Sequence, residues 1–254
     1  MYRPRIIPVL LLKDLGLVKT TKFSNAKYIG DPINAVKIFN DLKADELIFL
    51  DITASNENRS IDYNFIREIG EEAYMPFSVG GGIKEISQVE SIINQGAEKV
   101  VLNSHCFTNP DIINKSAKLF GSQSIVVSLD IYKNIFGKYS LYSNSGKKKQ
   151  SLNIIDWVKK VVDLGAGEIL INSINNDGSM SGYDLDLCSL ISKNVCVPVV
   201  ACGGAGNYMD FKKAIAHGCH AVAAGSLFVY HGTKKAVLIN YPTKKEIEEI
   251  KFNE

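Results

Sequence analysis

Apolar residues arrive along this chain in two alternating rhythms. Short, nearly continuous runs occupy 5–12 (RIIPVLLL), 46–51 (ELIFLD), 76–80 (PFSVG), 99–104 (KVVLNS), 124–130 (SIVVSLD), 168–173 (EILINS), 198–203 (PVVACG) and 221–226 (AVAAGS). A strand covered on both faces needs apolar side chains on consecutive residues, so each run predicts a buried parallel strand. Between them lie stretches with helical spacing, among them 32–42, 85–96, 153–165 and 208–218. Several close on a glycine, which stops a helix. Eight strands, each followed by a helical or connecting segment, predict an α/β protein built as a (β/α)8 barrel, with an open doubly wound sheet as the alternative.

An internal repeat favours the barrel. SVGGGIKEISQVESIINQGAEKVVLNS (78–104) aligns without gaps to VACGGAGNYMDFKKAIAHGCHAVAAGS (200–226), a shift of 122 positions that puts Gly81 on Gly203 and Ser104 on Ser226. The same shift lays ADELIFLD (44–51) over AGEILINS (166–173), Glu46 on Glu168. Two similar halves of about four β/α units each predict a barrel with pseudo-twofold symmetry. No linker or low-complexity segment interrupts the pattern, so residues 1–254 are expected to form one domain.

Composition narrows the class. With 46% apolar residues the 254-residue chain can fill a sizeable core, and a net charge of +2 argues against nucleic acid as the main partner. The dense basic run GKKKQ (146–150) reads as a solvated loop or as a contact for an anionic ligand. Cys106, Cys188, Cys196, Cys202 and Cys219 contain no CxxC pair, which suits reduced, buried thiols rather than disulfides or a zinc site. Neither a signal peptide nor a run of 18 apolar residues is present, so a soluble cytoplasmic protein without a membrane association is expected.

In a (β/α)8 barrel the ligand site lies at the C-terminal strand ends. There the sequence places two duplicated constellations: GGG (80–82) with Asn103 and Ser104, and Gly203–Gly204 with Gly225 and Ser226. The loop NNDGSMSG (175–182) adds Asp177 and Gly178 to the second. Glycines let backbone N–H groups approach an anion, and a neighbouring hydroxyl completes a phosphate cradle; the plainer reading is tight βα turns. Two cradles on one mouth point to an elongated ligand phosphorylated at both ends. Asp130, at the end of strand five, lies between them as a candidate general acid or base, its alternative being a helix cap or loop salt bridge. Asp51 positions either its own loop or a ligand hydroxyl. His105 and His217 carry no assigned role.

RIIPVLLLKD, DELIFLDITAS, PFSVGGGI, FGSQSIVVSLD, GAGEILINSINNDGSMSGYD and VVACGGAG together resemble the cyclase subunit of imidazole glycerol phosphate synthase, from about Arg5 to Phe228. That resemblance implies a barrel on whose N-terminal face a glutaminase docks. Ammonia then crosses the interior to a bisphosphorylated nucleotide at the other face, and no cofactor takes part. Carried over, the phosphate ligands fall on Gly82, Asn103 and Ser104, and on Asp177, Gly178, Gly204, Gly225 and Ser226. A lysine of the mobile loop after strand one falls on Lys19, and a charged ring that admits ammonia falls on Arg5, Glu46, Lys99 and Glu168.

One position departs. The family's cyclase uses two aspartates, at the ends of strands one and five; Asp130 matches the second, whereas the first falls on Leu11, which cannot carry a proton. Asp14, three residues on, lies too far along to replace it. The expected function is therefore a specialised barrel partner of a glutaminase, passing ammonia while ring closure is lost or weak. Such barrels resemble those of surface-polysaccharide pathways, where a sugar amidotransferase makes an acetamidino sugar. The alternatives are a true histidine-pathway cyclase and a non-catalytic phosphate-binding scaffold that activates its glutaminase.

Overall fold

The structure is a computed structural model that describes residues 3–232 and 234–250. The eight expected runs form eight parallel strands: β1 (Arg5–Lys13), β2 (Leu47–Asp51), β3 (Phe77–Gly80), β4 (Lys99–Leu102), β5 (Ile125–Lys133), β6 (Glu168–Ser173), β7 (Val199–Cys202) and β8 (Ala221–Ala224). Each pairs with the next, and β8 returns to β1 with Arg5 opposite Ala221, so the sheet closes into a barrel. The open-sheet alternative is thereby excluded.

Helices α1 (Pro32–Asp41), α2 (Tyr63–Glu72), α3 (Ile86–Asn94), α4 (Asp111–Phe120), α5 (Ile154–Asp163), α6 (Leu185–Ser192) and α7 (Tyr208–Ala216) fill the crossovers. Their starts are written locally. Asp31 accepts from the Asn34 N–H ahead of Pro32, Asn153 caps α5, and Asn207 with Asp210 forms a capping box on α7, satisfying amides that the first turn leaves free. A short helix, α8 (Ser226–Val229), follows β8, and α9 (Lys244–Ile250) packs on α7.

The repeat is preserved in the hydrogen-bond register. Leu47 pairs with Phe77 and Ile169 with Val199; Ser78 pairs with Lys99 and Val200 with Ala221. All keep the shift of 122 positions seen in the sequence. The apolar side chains divide into two layers. Ile7, Val9, Ile48, Val101, Val126, Leu170 and Val200 fill the barrel interior, while a larger layer between strands and helices is built around Phe39, Phe49, Ile66, Val158 and Phe211.

Two additions were not legible as strands. The connection after β1, expected as a loop, is an antiparallel hairpin of 16–21 and 24–30, and the connection after β5 folds back through 139–143 and 148–149. The first arm turns at Lys22 and Phe23, both in the left-handed region with φ of 53° and 59°, without the Asn or Gly that usually marks such a turn. The second carries a usable signal, alternation in YSLYS followed by Asn-Ser-Gly. The cysteine expectation needs a correction: Cys196 is exposed, because it lies in the short turn between α6 and β7, whereas the other four are buried.

Phe49 is fully buried and meets Phe65 and Phe77 edge-on, with centroids at 6.0 and 6.3 Å. Phe49→Ala is expected to lower the unfolding free energy by about 3–5 kcal/mol, read from urea denaturation.

Candidate functional site

All the mouth residues singled out in the sequence line one cavity of about 300 Å³: Gly82, Asn103 and Ser104 on one side, Gly178, Gly204, Gly225 and Ser226 on the other, with Leu11, Lys19, Asp130 and Asp177 among them. Two of the glycines have a reason independent of any ligand. Gly82 (φ 66°) leaves no space for a Cβ against the Arg59 carbonyl, and Gly204 (φ 114°) none against that of Gly182. Close backbone packing is thus required here whether or not an anion binds. Ser104 accepts from the Asn144 N–H at 2.9 Å, so its hydroxyl hydrogen remains free to donate.

The first arm lies over the mouth. Lys22 donates its N–H to the Asp177 carbonyl at 3.0 Å, while Thr20 Oγ1 and the Phe23 N–H donate to Asp177 Oδ2 at 2.8 and 3.1 Å. Asp177 is therefore engaged in holding the arm down. Gly178 lets the strand of Thr20 pass close by. Lys19 sits on a hairpin strand rather than in a loop; its Nζ donates to the Val9 carbonyl at 2.6 Å and rests against Gly225. Burial lowers Lys19 to about 8, against the attraction of Asp177. From the second arm, Ser145 Oγ donates to the Ile52 carbonyl at 2.6 Å, and Lys148 of the basic run reaches the cavity rim while staying exposed.

Register identifies the counterpart of Asp130. Asp130 pairs with Asn172 on β6, and Leu11 pairs with Leu50 on β2; Leu50 and Asn172 are themselves related by the 122-position repeat. On the other flank Ile7 pairs with Ala223 and Val126 with Val101, which gives the same correspondence. Leu11 and Asp130 are thus pseudo-twofold equivalents. The asymmetry extends to both neighbours: Asn103 corresponds to Gly225, and Asn172 to Leu50. One wall offers Asn103, Asp130 and Asn172; the other offers glycine and two leucines. Asn172 is a cavity residue that the sequence reading passed over, although the repeat placed it opposite an apolar equivalent.

Asp51 ties down its own loop and also lines the cavity. Its Oδ1 accepts from the N–H groups of Thr53 and Ala54, both at 3.0 Å, and its carboxylate pairs with Arg59. His105 lies on the rim, its pKa lowered by burial and by Lys84, and His217 ends α7. Cys202, at the cavity floor, is pushed up to about 12 by burial, which keeps it a thiol. The described residues contain no cluster suited to a metal ion and no helix long and apolar enough to cross a membrane.

At the N-terminal strand ends Arg5, Glu46, Lys99 and Glu168 meet as a closed ring. Arg5 bridges Glu46 and Glu168; Lys99 Nζ bridges the same pair at 3.0 and 3.1 Å. Ser78 Oγ donates to Glu46 at 2.9 Å. Burial alone would lower the Arg5 pKa, but Glu168 and Glu46 more than reverse it and the net shift is upward. Two cations and two anions neutralise one another, which makes their burial affordable.

Burial pushes Asp130 up to about 7; the Asn103 Nδ2 donor at 2.8 Å opposes that shift and the charge of Asp177 adds to it. A carboxyl poised there exchanges protons near neutral pH. Because its folded pKa lies above the unfolded value, folding takes up a proton between roughly pH 4 and 7, and stability falls as pH rises through that window. Asp130→Asn is expected to flatten the fall by on the order of 1–3 kcal/mol, read as the difference between variant and wild type in urea unfolding at about pH 5 and 7.5. Asp177, raised chiefly by burial, titrates in both proteins and cancels.

Comparison with known proteins agrees with this geometry. The histidine biosynthesis protein family model matches residues 5–235. The chain is 51% identical over 97% of its length to the "Putative imidazole glycerol phosphate synthase subunit hisF3" of Vibrio vulnificus (strain YJ016), covering 95% of that protein. It is 46% identical to the like-named subunit hisF2 of Pseudomonas aeruginosa (strain PAO1), over 98% of this chain and 99% of that one. Identity to the "Imidazole glycerol phosphate synthase subunit HisF" of Alkaliphilus metalliredigens (strain QYMF) is 42%, over 91% and 92%. A closed (β/α)8 barrel with these matches along almost its whole length belongs to the histidine biosynthesis protein family, as a HisF-type cyclase subunit.

Proposed function

We propose that this barrel takes ammonia from a docked glutaminase at its charged end and delivers it to the mouth cavity, with imidazole ring closure lost or weak. The acceptor would be a nucleotide sugar, converted by a partner amidotransferase from its acetamido to its acetamidino form for a surface polysaccharide. The single observation that carries this reading is Leu11 at the position equivalent to Asp130. The resemblance implies a pair of acid–base groups for ring closure, and leucine can serve as neither.

The complete ring of Arg5, Glu46, Lys99 and Glu168 supports the passage of ammonia, as does an interior of aliphatic side chains through which an uncharged molecule passes more readily than an ion. The numbered names hisF2 and hisF3 among the relatives support a role beside that of a first copy. In this reading Gly82, Asn103 and Ser104, with Lys19, Gly204, Gly225 and Ser226, hold a ligand phosphorylated at both ends, and Asp177 and Gly178 keep Lys19 in place.

A genuine cyclase is the second reading. It is favoured by Asp130, poised near neutral in the mouth cavity, and by the plainly named HisF relatives. The two separate in one assay. With ammonium and the bisphosphorylated aminoimidazole carboxamide nucleotide, the purified barrel is expected to turn over about 10²–10⁴-fold more slowly than a relative with both aspartates, the range that loss of one acid–base group costs. Leu11→Asp is expected to recover part of that rate. A wild-type rate equal to the relative's overturns the proposal in favour of the second reading.

A further inference from the structure

We propose that Asn103, Asp130 and Asn172 form a docking site for ammonia where the barrel interior opens into the mouth cavity. The inference rests on the ammonia-passing reading above and names where the molecule stops. The three residues stand at the ends of the adjacent strands β4, β5 and β6, with Asp130 in register with Asn172. Asn103 Nδ2 donates to Asp130 Oδ2 at 2.8 Å, which turns its amide oxygen away from the carboxylate. That oxygen and Asn172 Oδ1 are both buried without a hydrogen-bond partner. Among the described residues, six buried side-chain polar atoms have no partner, and only these two belong to residues lining the cavity.

An unmet buried acceptor costs about 1–3 kcal/mol, so two of them beside a carboxyl favour a ligand rich in N–H donors. Size and direction select ammonia. It presents three N–H groups on one heavy atom, enough to meet both amide oxygens and the carboxyl together, and Asn172 is buried with only 8% of its surface exposed. Inward from the site the interior is lined by Val9, Val101, Val126 and Leu170, and Ser128, two residues before Asp130, offers a hydroxyl on the way. The equivalent wall, Leu11, Leu50 and Gly225, offers no side-chain acceptor. A molecule leaving the interior therefore finds its hydrogen bonds on one side only, and the acceptor must approach from the other.

The test uses the full-length protein and follows the side-chain amide resonances of Asn103 and Asn172 by NMR during titration with ammonium chloride. Potassium chloride at matched ionic strength is the control. Saturable shifts with ammonium but not with potassium, weakened at least fivefold by Asn172→Leu, are expected. Equal responses to the two salts, no saturation, or unchanged affinity in Asn172→Leu overturns the site. If leucine disturbs the backbone amide spectrum, Asn172→Ser carries the same comparison. Ammonia transfer from the glutaminase is measured separately: transfer without saturable binding removes the docking site alone, and binding without transfer removes the passage reading.

Discussion

Closure of the strand ladder is the constraint on which everything else in this molecule depends. β1 is bonded to β8 on one side and to β2 on the other, so no strand can slip without breaking two ladders and turning its apolar side chains out of the interior. The register therefore fixes the height of every strand end. It brings Arg5, Glu46, Lys99 and Glu168 to one rim and Leu11, Asn103, Asp130 and Asn172 to the other.

The two rims answer the cost of burying charge in different ways. At the N-terminal rim four charges are paired in a ring and satisfied further by Ser78. At the mouth, burial and the charge of Asp177 push Asp130 toward its protonated form, opposed only by the Asn103 amide. One end is stabilised by complementary charge; the other keeps a carboxyl that exchanges its proton near neutral pH, the condition for chemistry. Leucine at position 11 leaves that group without a partner across the mouth, and the wall on its side is apolar through three successive strands.

Much of this was legible along the chain. Continuous apolar runs marked all eight strands because both faces of a parallel barrel strand are buried, and no boundary moved by more than three residues. The glycines, Asn103, Ser104 and Ser226 were legible through duplication. The two arms were less so, since partly exposed hairpins need no apolar period, and Lys22–Phe23 turns without the residues that usually announce it. Asn172 was missed because an asparagine inside an apolar run carries no local signal; its unpaired oxygen exists only once β5 and β6 lie side by side.

The order of the strands, the half-barrel repeat and the presence of one carboxylate where two were expected were determined by sequence alone, because apolar periodicity and duplication are properties of the chain. The resemblance had put Leu11 where a second aspartate is expected; that Leu11 and Asp130 are equivalents in register was decided by tertiary structure. The repeat runs at a shift of 122 positions through three strand pairs, yet the hydrogen bonds place Leu11 opposite Asp130 at a shift of 119. The reason is physical: the connections after β1 and β5 need not be equal in length, and only the closed ladder sets where those two strands end.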